Sequence, residues 1–122
     1  MEFHREPADE SRAILACAAG EIRLPGRRFT ASVILTAGAV VEGWRPPPVE
    51  RMTIGDFQPA LDARPDVLLL GTGASQRLPP PALYAAFAER GIGLEVMDNA
   101  AACRTYNVLL SEFREVALAL LL

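Results

Sequence analysis

The chain has 122 residues, of which 51% are hydrophobic and 22% are charged. These proportions are typical of a globular protein with a buried core and exclude a disordered chain. The net charge of −3 argues against a nucleic-acid surface, because such surfaces use an excess of basic residues to neutralise phosphates. We therefore predict no nucleic-acid partner.

The chain has few histidine and cysteine residues, and this limits the metal sites and nucleophilic mechanisms that it could form. His4 is the only histidine, and Cys17 and Cys103 are the only cysteines, far apart in the chain and outside any CxxC motif. This pattern indicates neither a zinc site nor a disulfide scaffold, and it offers no histidine-assisted nucleophile unless the segment around His4 folds back. We therefore predict no metal and no cofactor, and we assign no catalytic residue.

The ends of the chain carry no membrane signal. The N-terminus lacks the apolar segment of a secretory signal, and the apolar run at 116–122 is shorter than the roughly 20 residues that a membrane helix needs. We therefore predict a cytoplasmic protein without a membrane span.

The first third of the chain is typical of an antiparallel meander. Residues 1–12 are predicted to form a loosely ordered leader, and residues 13–122 a single α/β domain. Short strands separated by glycine and proline turns are predicted over 13–17, 21–24, 28–36 and 39–44. Three prolines at 46–48 end the meander as a stiff connector.

The pattern then changes to alternating helices and strands. Helices are predicted over 54–63, from the prolines at 79–81 to about 90, and over 99–112, with strands over 66–70 and 93–97. The second helix joins the two strands in a βαβ unit, so these strands should be parallel. Residues 114–122 fit a helix or a strand by periodicity alone, and we favour a closing strand that completes a central mixed sheet.

Two strand ends should meet at one edge of this sheet. One is Leu70-Gly71-Thr72-Gly73 and the other is Met97-Asp98-Asn99. Both lead toward helices, so unpaired N–H groups and positive helix ends should favour a carboxylate, a phosphate or an acidic side chain there. The glycines match neither the full GxGxxG motif nor a P-loop, and an equally good interpretation is that they permit a tight turn.

The candidate ligand-binding residues surround these two strand ends and the first turns of the third helix. They are Gly71, Thr72, Gly73, Arg77, Asp98, Asn99, Cys103, Arg104, Thr105 and Asn107. Arg77 and Arg104 are the cations expected to reach the crevice. Asp98 or Asn99 is expected to cap the third helix. Arg104 has two alternatives: a structural ion pair with Asp98, Glu95 or Glu112, or a position facing the ligand.

Cys103 also has two interpretations. With Tyr106 and Leu110 it forms a stripe at helical spacing that is typical of core, which favours a buried packing cysteine. The alternative is a reactive thiolate, because Arg104 and the nearby helix N-terminus both lower a thiol pKa. The sequence provides no base that would assist such a nucleophile. Tyr106 and Trp44 are interpreted as packing residues.

The run Ala102-Cys103-Arg104-Thr105-Tyr106-Asn107, together with Leu70-Gly71-Thr72-Gly73, closely resembles a family of small uncharacterised domains. The family includes mitochondrial respiratory complex I assembly factor three and an adipogenesis-associated relative, and the likeness extends over about 13–120. It implies a three-layer fold with a central mixed sheet, helices on one side, and a β layer plus a helix on the other. It also implies that the last segment is a strand antiparallel to the others.

Three functions are compatible with these features. The leading hypothesis is a binding or assembly-factor-like module, which holds a protein partner or a small acidic ligand in the crevice; the resemblance implies assembly of a respiratory complex. The second is a small cysteine-dependent enzyme that uses Cys103. The third is a structural homodimer that buries an exposed strand edge or the region of Trp44.

Overall fold

The computed structural model describes residues 13–112 and 114–122, and it places them in two β-sheets and three α-helices. The predicted leader at 1–12, with His4, lies outside the described residues.

The smaller sheet is an antiparallel meander. Its strands are β1 (Ala16–Ala18), β2 (Glu21–Leu24) and β3 (Arg27–Phe29), in the order β1-β2-β3. Tight turns join them at Gly20 and Gly26, whose φ angles of 70° and 74° lie in the left-handed region that favours glycine. The predicted meander is therefore confirmed for these three strands.

The prediction of one continuous strand over 28–36 is wrong, because two separate strands form there. The chain leaves the smaller sheet after Phe29 and re-forms as β4 (Val33–Leu35), which pairs antiparallel with β5 (Val40–Val41) in the larger sheet. All of β4 is buried, whereas the arginines of β3 are exposed. The break therefore has a physical reason, since a strand covered on both faces belongs in a central sheet and a half-exposed strand does not.

The larger sheet has five strands in the order β5-β4-β8-β6-β7, where β6 is Val67–Gly71, β7 is Gly93–Met97 and β8 is Val116–Leu120. β6 is parallel to both β7 and β8. The predicted closing strand is therefore confirmed as a strand.

The direction implied for this last strand is only partly correct. β8 is antiparallel to β4 but parallel to β6, so its expected antiparallel orientation to all the other strands is wrong. The reason is the third helix, which carries the chain back along the sheet. The chain then re-enters the sheet beside the first residue of β6. There the Asp66 amide donates to the Glu115 carbonyl at 2.7 Å.

The helices differ in how closely they follow the prediction. Helix α2 (Pro81–Glu89) joins β6 to β7 and confirms the βαβ unit, and α3 is Asn99–Ser111. The helix predicted over 54–63 is instead a 3-10 turn, Ile54–Phe57, followed by the single turn of α1 (Gln58–Leu61). A glycine inside the 3-10 turn and a proline in α1 weaken a longer helix there.

Two apolar layers cover the two faces of the larger sheet. Toward α3 and the smaller sheet, Leu69 and Leu118 pack with Ile22 and Tyr106. On the other face, the side chains of Leu68, Leu70 and Ala119 pack with Trp44, Phe57 and Phe87. The three-layer arrangement is thus confirmed, with α1 and α2 on one side and α3 plus a β layer on the other. Tyr106 and Trp44 are packing residues, as predicted.

Gly71 permits the close approach of α3 to the end of β6. A Cβ atom at this position would lie 2.5 Å from Asn99 Oδ1 and 2.6 Å from Leu120 Cδ1. Both distances are shorter than packed atoms tolerate, so any larger residue would displace the start of α3. Gly71 therefore serves packing, whereas Gly73, with φ of 103°, serves the turn that follows.

We expect Gly71→Ala to lower the free energy of unfolding by about 1–3 kcal/mol, because the added methyl group overpacks the junction of α3 with the sheet. Urea unfolding followed by circular dichroism measures the change. Gly38→Ala is the matched control, since a Cβ there meets nothing within 4 Å and its φ is not positive. Equal stabilities for the two variants would contradict the packing role of Gly71.

Candidate functional site

The two strand ends singled out in the sequence meet as predicted. Gly71 and Met97 are register partners at the carboxyl ends of β6 and β7. Beyond them, the Thr72 amide donates to the Met97 carbonyl at 3.0 Å, and the Asn99 amide donates to the Gly73 carbonyl at 2.8 Å. The loop after β6 is therefore bound directly to the start of α3.

Asp98 and Asn99 have separate roles at this junction. Asp98 is the N-cap of α3, because its Oδ1 accepts from the Ala101 amide at 2.8 Å. Asn99 is buried, its Oδ1 accepts from the Gly73 amide at 2.9 Å, and its Nδ2 donates to the Leu121 carbonyl at 2.8 Å. Asn99 thus fixes the loop, the helix and the C-terminal segment to one another.

These contacts overturn the expectation of unpaired amides at this edge. The amides of Thr72, Gly73, Asn99 and Ala101 all donate to acceptors within the chain. The edge also carries the carboxylate of Asp98, which repels another anion. Four of the donors expected to hold an anion are therefore already in use within the chain.

A cavity of about 420 Å³, which we call the crevice, opens beside this junction. It is bounded by the β1–β2 turn, the loop after β6, the first turn of α3 and the C-terminus. Its lining residues are Cys17, Ala18, Ala19, Gly20, Gly73, Ala74, Asp98, Asn99, Ala100, Leu121 and Leu122. Small and apolar residues predominate, and Asp98 is the one lining residue with an acidic side chain.

A second cavity of about 280 Å³, the groove, runs between β1 and α3. It shares Cys17 and Ala100 with the crevice, and Arg104 and Asn107 also line it. Asn107 holds the segment before β1 in place, because its Oδ1 accepts from the Ile14 amide and its Nδ2 donates to the Ile14 carbonyl, both at 2.8 Å. This pair imitates the hydrogen bonds of a neighbouring strand and gives Asn107 a structural role.

Arg104 is a positively charged residue that lines the groove. Its side chain is exposed, and it forms no ion pair with any residue in the described part of the chain, including Asp98, Glu95 and Glu112. Of the two alternatives for Arg104, the structural ion pair is not formed with any residue that the structure describes. The guanidinium remains available to a group outside these residues.

Other predicted site residues lie away from both cavities. Thr72 is buried, and its Oγ1 donates to the Ser75 carbonyl at 2.7 Å and accepts from the Arg77 amide at 2.9 Å. The Arg77 guanidinium pairs with Glu50 at 2.7 Å, which lowers the pKa of that carboxyl through the hydrogen bond. The Thr105 Oγ1 lies 3.6 Å from the Met97 sulfur. Gly71 lies beneath α3.

Sequence reasoning missed the two segments that complete the cavity walls. Cys17 and the turn that follows β1 contribute one wall, and Leu121 and Leu122 contribute another. No local motif marks these residues. The small side chains at 18–20 are the one sequence feature that fits a cavity wall. From the sequence alone, however, they indicate only a turn.

The environment of Cys103 supports the packing interpretation. The residue is 4% exposed, and burial raises the pKa of its thiol, with a further contribution from a hydrogen bond with Cys17. The nearby charge of Arg104 lowers the same pKa but has the smallest effect. The thiol therefore stays protonated at neutral pH, which is the opposite of what an activated nucleophile requires.

Neither a metal cluster nor a membrane helix is found in the described ranges, 13–112 and 114–122. No three side chains of the types His, Cys, Asp and Glu come together there in a way that would hold a metal ion. None of the helices in these ranges combines the length and the apolar character required to cross a bilayer.

We expect Asn99→Asp to lower the free energy of unfolding by about 1–3 kcal/mol, because the new carboxylate loses the donor to the Leu121 carbonyl and is buried facing it. Chemical unfolding measures the change. Gln76→Glu is the matched control: Gln76 also donates to a backbone carbonyl, at 2.8 Å from Val96, but is exposed. A cost at Asn99 no larger than the cost at Gln76 would contradict the role assigned to Asn99.

We expect Cys103 to resist iodoacetamide in the folded protein at pH 8, because burial raises its pKa above the value of about 8.5 for a free thiol. The measurement is peptide mass spectrometry on Cys17→Ser, which leaves Cys103 as the only thiol, with and without denaturant. Labelling of the folded chain at the rate of the denatured chain would show that the thiol is activated.

The architecture recurs in a solved bacterial structure. The NMR structure of XCC1710 from Xanthomonas campestris is similar with a TM-score of 0.84 and 40% sequence identity, and the match covers 99% of this chain and 92% of that one.

Two curated relatives match a shorter segment. The "13 kDa major membrane protein" of Francisella tularensis is 39% identical over 57 residues, which are 47% of this chain and 46% of the relative. The NADH dehydrogenase (ubiquinone) 1 alpha subcomplex assembly factor 3 of Xenopus tropicalis is 38% identical over 61 residues, which are 50% of this chain and 33% of the relative. The matched part is thus less than half the length of each of these proteins.

The match to a protein family spans nearly all of the described residues. A family described as "protein of unknown function (DUF498/DUF598)" matches residues 14–121. The resemblance to domains that include the respiratory assembly factor is thereby confirmed, and the chain belongs to this family of proteins of unknown function.

Proposed function

We propose that this chain is a protein-binding module of the assembly-factor kind, which holds a segment of a partner protein across the crevice and the groove. The similarity to an assembly factor of NADH dehydrogenase supports a role in protein contacts. The proposal depends on one observation: the apolar crevice adjoins the groove lined by Arg104, which has no ion-pair partner among the described residues, and the two cavities share Cys17 and Ala100.

The crevice offers shape and apolar surface. Its wall is formed by small side chains and by Leu121 and Leu122, and the polar groups of Asn99 at its base are already hydrogen-bonded. Burying an apolar side chain here gains about 25 cal/mol for each Å² removed from water, and the side-chain amide of Asn99 keeps its hydrogen bonds within the chain. The crevice therefore fits an apolar side chain of the partner.

Arg104 adds charge selection beside the crevice. Its exposed guanidinium lines the groove without an ion-pair partner among the described residues, so it fits a carboxylate of the partner. We propose that the partner presents an apolar side chain next to an acidic one. The anion-binding role expected for the crevice as a whole is thus limited to Arg104.

A protein segment fits this surface better than a small acidic ligand. The amides of Gly73 and Ala101 are in use, and Asp98 places negative charge at the crevice, so the charge of Arg104 is the main attraction for a small anion. A protein segment also gains from the apolar wall. A cysteine-dependent enzyme is also disfavoured, because the thiol of Cys103 is buried and protonated.

The partner that we propose is a subunit of a respiratory complex in the course of its assembly. This follows the printed role of the Xenopus relative, whose matched segment includes only part of that protein. We propose further that the chain acts from the cytoplasm and meets the complex at a surface that is exposed there. A homodimer is a separate hypothesis, and no contact of the described residues favours it.

Site-specific cross-linking in cells of the source organism tests this function. A photoreactive side chain at Ala18, in the wall of the crevice, should form an adduct with a subunit of NADH dehydrogenase. Arg104→Glu should weaken binding of that purified subunit about tenfold or more, because it replaces attraction by repulsion. Isothermal calorimetry measures the loss.

Matched controls come from the end of the sheet opposite the crevice, near the start of β6 and the end of α2. A probe at exposed Ala63 should give no specific adduct, and Arg90→Glu, which also reverses an exposed arginine, should bind normally. Adducts at Ala18 no more abundant than at Ala63, or equal losses from the two charge reversals, would reject the proposed contact surface.

A further inference from the structure

The two cysteines, far apart in the sequence, are neighbours in the structure. Cys17 on β1 and Cys103 on α3 both line the groove, and the nearby Cys17 thiol helps to raise the pKa of Cys103. Both are free thiols. The hydrogen bonds between Asn107 and Ile14 bind the same two segments together a short distance along the chain, so the approach of the cysteines is held by the backbone.

The two thiols differ in access. Cys17 is half-buried and borders both the crevice and the groove, whereas Cys103 is 4% exposed. An oxidant that enters from solvent therefore meets the sulfur of Cys17 first. Cys103 lines the same groove but is buried, so it is shielded from the oxidant.

We propose that Cys17 and Cys103 form a reversible disulfide, which joins β1 to α3 when the protein meets a peroxide. The Cys17 thiol gives up its proton and its sulfur attacks one peroxide oxygen, the O–O bond breaks, and Cys17 becomes a sulfenic acid while the other oxygen takes that proton and leaves as water or an alcohol. The sulfur of Cys103 then attacks the sulfur of Cys17, the S–O bond breaks, and the hydroxyl leaves with the Cys103 proton as water. The sulfurs lose two electrons, and the peroxide gains them.

The position of the pair explains why the reaction stops at the disulfide. A sulfenic acid that stays exposed is oxidised further to sulfinic acid, which ordinary thiols do not reverse. Here Cys103 lines the same groove as Cys17, so its sulfur meets the sulfenic acid within one molecule, and its proton passes to the departing hydroxyl as the S–S bond forms. A thiol reductant restores both cysteines.

The disulfide would change the wall that the crevice and the groove share. Cys17 lines both cavities, so a bond to α3 fixes the position of β1 beside the proposed partner site. A change in partner binding on oxidation rests on the proposed function. Formation of the disulfide does not rest on it.

The test uses the purified, reduced full-length chain treated with one equivalent of hydrogen peroxide. Intact mass spectrometry should show a monomer that is lighter by about 2 Da, the mass of two hydrogen atoms, and dithiothreitol should reverse the loss. Peptide mapping should find Cys17 linked to Cys103. The midpoint of thermal unfolding should rise on oxidation, because the cross-link restricts the unfolded chain.

Two variants serve as controls for the assignment. Cys17→Ser and Cys103→Ala should each lose the mass change and the rise in unfolding midpoint. Wild-type chain that gains oxygen at Cys17 while Cys103 stays unmodified, or that forms a covalent dimer through Cys17, would overturn the proposal. A disulfide that forms without altering binding of the NADH dehydrogenase subunit would support the disulfide and count only against its effect on the partner site.

Discussion

The contact between the end of β6 and the start of α3 determines the geometry of the whole site. Gly71 has no side chain, so the first turn of α3 lies directly against the strand, and Asn99 then binds the loop on one side and the C-terminal segment on the other. A buried amide with both its donor and its acceptor in use specifies one arrangement of these three segments, because any shift leaves a polar group without a partner.

This contact also decides which chemistry the site offers. By using the amides of Gly73 and Asn99 internally, it removes two of the anion-binding donors that strand ends and helix starts often present. What remains is an apolar crevice with Arg104 beside it. In the proposed function, this surface recognises the side chains of a partner protein.

Asn107 extends the same principle to the second wall. Its side chain holds the segment before β1 with a pair of hydrogen bonds, which places Cys17 against Cys103 and closes the groove. One face of α3 thus organises the site through three residues that sequence patterns would group as polar ligands. Asn99 and Asn107 support the walls, and Arg104 alone faces outward.

The sequence by itself determined the βαβ unit, the closing strand, the first three strands of the meander and the meeting of the two strand ends, because local periodicity and turn residues specify them. It left open the break after Phe29, the direction of β8, the partners of Asn99 and the proximity of Cys17 to Cys103. These depend on which segments pack together across long stretches of chain. Local sequence patterns do not specify such pairings, because burial and hydrogen-bond partners are set only when the layers assemble.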